Sequence, residues 1–215
     1  FFACILGLIF GMLSVVKNKV CNLISRIFVD IIRGVPMIVL AYFVFFGIPY
    51  ACKNILGFNF TLTALSAGTI CLALNCGAYM AEIIRSGIQA VDYGQTEAAR
   101  SLGMSNTQTM LSVVLPQAVR NAFPAIGNEF IVNIKDSSVL MIISITELMF
   151  QSNSIAGTTY RFTETYFVTA FIYLCLTGIS SIILNAIEKK LNHTKTSLPQ
   201  SDTDVKSISI AKEGL

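Results

Sequence analysis

The sequence has 215 residues, 54% hydrophobic and 13% charged, with a net charge of +3 and a mean hydropathy of +0.69. Soluble domains carry about 25% charged residues, so a deficit spread over most of the chain points to lipid as the solvent. No stretch reads as a soluble domain, and no basic block marks a nucleic-acid binder.

In chain order, the first apolar run is Phe1–Val16. It is shorter than the roughly 20 residues a spanning helix needs. Its basic residues, Lys17 and Lys19, follow the apolar stretch, whereas a signal peptide carries them before it. The run therefore reads as the end of a first span that starts upstream of Phe1. Four longer apolar stretches follow at Ile27–Tyr50, Leu62–Ile84, Pro124–Phe150 and Tyr166–Ile187. Each can cross a hydrocarbon core of about 30 Å at about 1.5 Å per residue. The spacing thus predicts an all-α polytopic membrane protein of about five transmembrane helices over residues 1–191. A polar segment, Arg85–Asn121, separates the third and fourth spans, and residues 192–215 form a polar tail expected to be disordered. Six cysteines without a CxxC pair, and a single histidine, His193, give no metal-ligand cluster.

Basic residues fix an orientation. Lys17, Lys19, Arg26 and Arg33 flank the first connection, and Arg85, Arg100 and Arg120 lie in or beside the polar segment. Lys189, Lys190, Lys195, Lys206 and Lys212 end the chain, while the other two connections hold only Lys53 and Arg161. Positive charge stays in the cytoplasm. The N-terminus is accordingly expected outside and the C-terminus inside.

The polar segment reads as two short helices. Asp92 with Gln95, and Ser105 with Gln108, have N-capping spacing, and Gly103 supplies a left-handed stop between them. Pro116 is expected to end or bend the second helix. Val91, Ala98 and Leu102 form an apolar stripe on the first, with Ala99 beside it.

Glu97-Ala98-Ala99, three residues, Gly103, nine residues, Val113, one residue and Leu115-Pro116 resemble the EAA loop of ABC-type import permeases, with Val113 where that loop usually has Ile. Arg33-Gly34-Val35-Pro36, Leu74-Asn75-Cys76-Gly77-Ala78-Tyr79, Gly87-Ile88-Gln89-Ala90-Val91 and Lys135-Asp136-Ser137-Ser138 are similar to motifs of the polar amino acid permeases, the histidine/glutamine/arginine/opine type. The resemblance covers about Asn18 to Leu191. It implies a MetI-like fold of the type I importers, with residues 88–120 as a cytoplasmic coupling loop that docks on a separate ABC ATPase subunit. It further implies a second permease subunit, identical or not, an extracytoplasmic solute-binding protein, an amino-acid substrate and a bacterial cell membrane. The permease would carry no catalytic residue and no cofactor of its own. The chain also lacks the phosphate-binding GxxxxGK[ST] loop.

Charged groups at membrane depth cost about 2.5–3.5 kcal/mol each, so they face protein or water. Asn75, Tyr79 and Glu82 share one helical face, and Glu82 can reach Arg85. On a continuous helix over Pro124–Phe150, Glu129, Asp136 and Glu147 fall on one stripe with Asn133 beside it, and Lys135 lies off it. These residues are the candidates for a translocation pathway; helix packing is the alternative. The rival functions are import of another small polar solute, a structural membrane protein and a membrane enzyme.

Overall fold

The computed structural model describes residues 1–192, and eight helical segments organise them. They are α1 Phe2–Val15, α2 Lys19–Gly34, α3 Met37–Asn54, α4 Ala64–Gln89, α5 Tyr93–Ser101, α6 Asn106–Ile143, α7 Leu148–Thr159 and α8 Phe162–Asn192. Among them α3, α4 and α8 are long and apolar enough to cross a membrane, and α6 with α7 adds a fourth crossing if the bent pair is one span. Apolar α1 is shorter. The tail expected from 192 onwards lies, from 193, outside the described residues.

Small side chains decide how the helices meet. The buried face of α4 carries Ala67, Gly68, Cys71, Ala73, Gly77, Ala78 and Ala81. Helices in lipid gain nothing from hydrophobic transfer and associate through close packing, which small residues permit. α1 lies against this face. A Cβ at Gly7 would meet Met80, one at Gly77 would meet Leu6 at 2.9 Å, and one at Gly11 would meet Ile84 at 2.9 Å. α1 therefore runs parallel to α4.

α2 returns along α1. Ser25 Oγ donates to the Phe10 carbonyl at 2.6 Å, Asn22 donates to Ser14, and the Phe10 and Phe28 rings stack at 3.9 Å. The expected span Ile27–Tyr50 is not one helix. The residue before a proline is pushed to extended backbone, and Val35 (φ −98°, ψ 131°) ends α2 before Pro36 opens α3. α3, wound as a π-turn over Phe43–Gly47, then continues antiparallel to α4.

The expected span Pro124–Phe150 is also corrected, at both ends. Pro116 does not end the second polar helix: α6 runs from Asn106 through Pro116 and Pro124. A π-turn over Met110–Val114 precedes Pro116, and such a widened turn is where a helix accommodates a residue that cannot donate. At the far end α6 tightens to a 3₁₀ turn over Ser137–Ile143 and stops at left-handed Ser144 (φ 65°). α7 restarts after Glu147, bent by 54°. Leu140 and Ile143 seat this break against Leu40, Ala41 and Val44 of α3 and Ala67 and Cys71 of α4.

α8 packs back on α6 and α7. Leu184 occupies the space a Cβ at Gly127 would need, Ser152 Oγ and Thr169 Oγ1 share a hydrogen bond of 2.6 Å, and Tyr166 donates to Asn153.

These contacts sort the connections by end. The α1–α2 elbow, the α4–α5–α6 segment and the end of α8 lie at one end of the bundle. The α3–α4 and α7–α8 connections, with Lys53 and Arg161, lie at the other.

Candidate functional site: a docking helix and an intramembrane polar cluster

The first site is α5 and its two junctions. Asp92 Oδ1 accepts from the Gly94 N–H at 2.7 Å and starts the helix. It ends in a left-handed turn in which Gly103 (φ 84°) donates to the Arg100 carbonyl at 3.0 Å and Met104 to the Ala99 carbonyl at 3.2 Å. This is the paired closure that satisfies the last carbonyls of a helix, and it favours a residue without Cβ. Arg100 reinforces it by donating to the Met104 carbonyl at 2.6 Å. Ser105 and Gln108 then form a reciprocal capping box, at 2.9 and 3.2 Å, that opens α6.

Of the motif residues, Ala99 is buried and faces inward, whereas Glu97 and Ala98 are exposed. Tyr93 and Leu102 project outward at 72% and 83% exposure. Leu115 is half-buried and Pro116 exposed, in the first turn after the π-turn. Beneath them Val114 and Ala118 pack on Ile88 of α4, with Met12 and Val15 of α1. A Cβ at Gly87 would lie 2.9 Å from the Ala118 carbonyl oxygen. α5 is thus a small outward platform that touches the first turns of α6, and α6 in turn packs closely on α4 and α1.

The second site lies between α2, α4 and α6. Asn75 is buried and directs Nδ2 towards Met37 Sδ at 3.9 Å. One turn on, the Arg33 guanidinium sits over the Tyr79 ring, 4.9 Å from its centroid, a contact that neutralises no charge but is attractive. Glu82 accepts from both Arg85 Nε and Nη2, and Arg85 also donates to Gln89 at 2.7 Å. On α6, Glu129 is 8% exposed. Its carboxylate accepts from Asn133 Nδ2 at 3.4 Å, and the Cys76 thiol of α4 faces both side chains. Arg33 lies within electrostatic reach of Glu82 and Glu129, and Asp136 within reach of Glu129.

The structure therefore sets Tyr79 and Glu82 of α4 around Arg33 and half-buried Asp136 near Glu129 on α6, with Asn75 turned to Met37 of α3. It does not bring in the other two. Lys135 is exposed and makes no ion pair among the described residues. Glu147 is off the expected stripe, because the helix it was counted on ends at Ser144. Both its oxygens cap α7, accepting from Met149 and Phe150 N–H at 2.8 and 2.6 Å, and one also accepts from Tyr173 Oη at 3.0 Å. The signal for that break was present as Ser144 and Thr146, two polar residues interrupting an apolar run. Sequence reasoning also missed Cys76 as a neighbour of Glu129 and Tyr79 as the seat of Arg33.

Residues 3–193 match the family described as "Binding-protein-dependent transport system inner membrane component". The probable glutamine ABC transporter permease protein GlnM of Bacillus subtilis (strain 168) is 35% identical over 87% of this chain and 83% of its own. The glutamine transport system permease protein GlnP of Escherichia coli (strain K12) is 32% identical over 87% and 83%. A solved amino acid ABC transporter with histidines superposes with a TM-score of 0.79 at 39% identity, covering 88% of this chain and 85% of that one. An inward-facing MetNI methionine ABC transporter superposes at 0.64 with 19% identity, over 86% and 88%, and carries the likeness of fold alone.

Proposed function

On the premise that this chain belongs to the family of binding-protein-dependent transport system inner membrane components, we propose that it is the permease subunit of an ATP-driven amino-acid importer. The observation that carries the reading is α5: a short helix bearing Glu97-Ala98-Ala99, held between two capped junctions with Ala99 buried and Glu97, Tyr93 and Leu102 exposed. An outward platform suits docking to a separate ATPase, which would supply the energy. Relatives named as glutamine and amino-acid permeases support an amino-acid substrate.

The remaining assembly follows from the same reading. A second permease subunit completes the pathway, and a solute-binding protein delivers substrate from outside. Residues 1–191 form the transmembrane domain, with 88–120 as its coupling loop and 192–215 as a cytoplasmic tail. The end carrying α5, Lys17, Lys19, Arg85, Arg100 and Lys189 faces the cytoplasm, because basic connections stay inside, and the N-terminus lies outside. Asn75, Tyr79, Glu82, Glu129 and Asp136 line the pathway, with Lys135 at its margin. Glu147 serves it indirectly by fixing the break between α6 and α7.

The test is Gly103→Pro. Proline can neither take the left-handed conformation nor donate to Arg100, so the junction after α5 is lost while every span is intact. In proteoliposomes holding the complex, amino-acid uptake and stimulation of ATP hydrolysis by the loaded binding protein should fall together, about tenfold or more, with membrane insertion unchanged. Full coupled uptake by this variant would remove α5 from the coupling role.

A further inference from the structure

We propose that the elbow between α1 and α2 docks the phosphate headgroup of an anionic phospholipid. An open hollow of about 400 Å³ lies there, lined by Lys17, Lys19, Asn22, Leu23 and Arg26. Three of these side chains are cations, all exposed, and none forms an ion pair among the described residues. No carboxylate lines the hollow, so the cations are not balanced from within.

The helix leaving the hollow supplies the rest of a lipid site. Val20, Leu23, Ile24, Ile27 and Ile31 fall on one face of α2 and are 49–62% exposed, whereas Asn22 and Ser25 on the other face bind the α1 backbone. An apolar face turned away from protein, with a cationic cluster at one end, has the arrangement of an acyl chain below its headgroup. Basic clusters beside a transmembrane helix attract anionic headgroups, each cation contributing about a fivefold preference. The inference stands on membrane embedding alone and holds for either orientation of the bundle.

The chain contains no tryptophan, so Leu23→Trp places a single reporter at the hollow. The full-length chain carrying it is purified and reconstituted in phosphatidylcholine, and quenching is compared for brominated phosphatidylglycerol and brominated phosphatidylcholine. The anionic lipid should quench at a mole fraction at least about fivefold lower. Adding Lys17→Gln, Lys19→Gln and Arg26→Gln should abolish that preference, and the charge-keeping set Lys17→Arg, Lys19→Arg and Arg26→Lys should retain it. Equal quenching by both lipids, or loss of the preference in the charge-keeping set, would overturn the proposal. Quenching by neither lipid would assign the face to another protein chain, which also overturns it. Release of the bound lipid by inorganic phosphate at matched ionic strength would make this a site for free phosphate instead.

Discussion

Glu129, Asp136 and Glu147 are all carboxylates and differ in what surrounds them, so they should fail differently when altered. Glu147 accepts three hydrogen bonds and joins α7 to α8 through Tyr173. A lost helix cap costs about 1 kcal/mol, and removing its charge also weakens bonds worth about 1.5–3 kcal/mol. Asp136 is half-buried beside Glu129's field and caps nothing by its side chain. Asp136→Asn should therefore reduce uptake about tenfold or more while the yield and thermal stability of the complex stay near wild type. Glu147→Ala should lower stability by about 2 kcal/mol, with uptake falling in proportion to the protein recovered. Uptake and yield measured in the same membranes separate the two outcomes. Normal uptake by Asp136→Asn would leave that carboxylate a packing role only.

At the scale of the helix pair, α1 and α4 meet where a glycine of one helix faces a side chain of the other. A Cβ at Gly11 would stand 2.9 Å from Ile84 Cβ and 3.1 Å from the Ala81 carbonyl. Gly11→Val should separate the helices and cost about 1–3 kcal/mol, read as a lower melting temperature of the purified complex. Gly178→Ala on α8 meets nothing within 4 Å and should be neutral or mildly stabilising, because alanine holds a helix better than glycine by about 1 kcal/mol. The spans themselves could be read in part from the sequence, and Ser105 with Gln108 announces the start of α6. The breaks were less legible. Hydropathy averages over a window and passes smoothly across Pro36 and Ser144, and only backbone conformation separates α2 from α3 or α6 from α7. The acidic stripe inherited that error, because helical periodicity places Glu147 only while the helix continues. The cluster around Glu129 was legible on its own helix and illegible across helices, since no spacing within one segment predicts that Cys76 or Arg33 will face it.

For the whole molecule, the arrangement of ends makes topology testable with native residues. Cys21 follows the α1–α2 elbow and Cys52 lies in the last turn of α3, at opposite ends of the bundle, and both are partly accessible. In intact cells a membrane-impermeant thiol reagent should modify a variant retaining only Cys52 and spare one retaining only Cys21, which should react after the cells are opened. The reverse pattern would invert the orientation. The long helices α4 and α8 also differ in how much protein they touch. Half of the apolar window of α4 is buried inside the subunit, against 6% of that of α8. Lipid tails do not distinguish one aliphatic side chain from another, so a position of α8 that meets only lipid can exchange among Leu, Ile, Val and Phe at little cost. α4 has no such latitude. At Ala67, Gly68, Cys71, Gly77, Ala78 and Ala81 it is buried against its neighbours, and at those positions only the smallest residues can be exchanged without moving a helix.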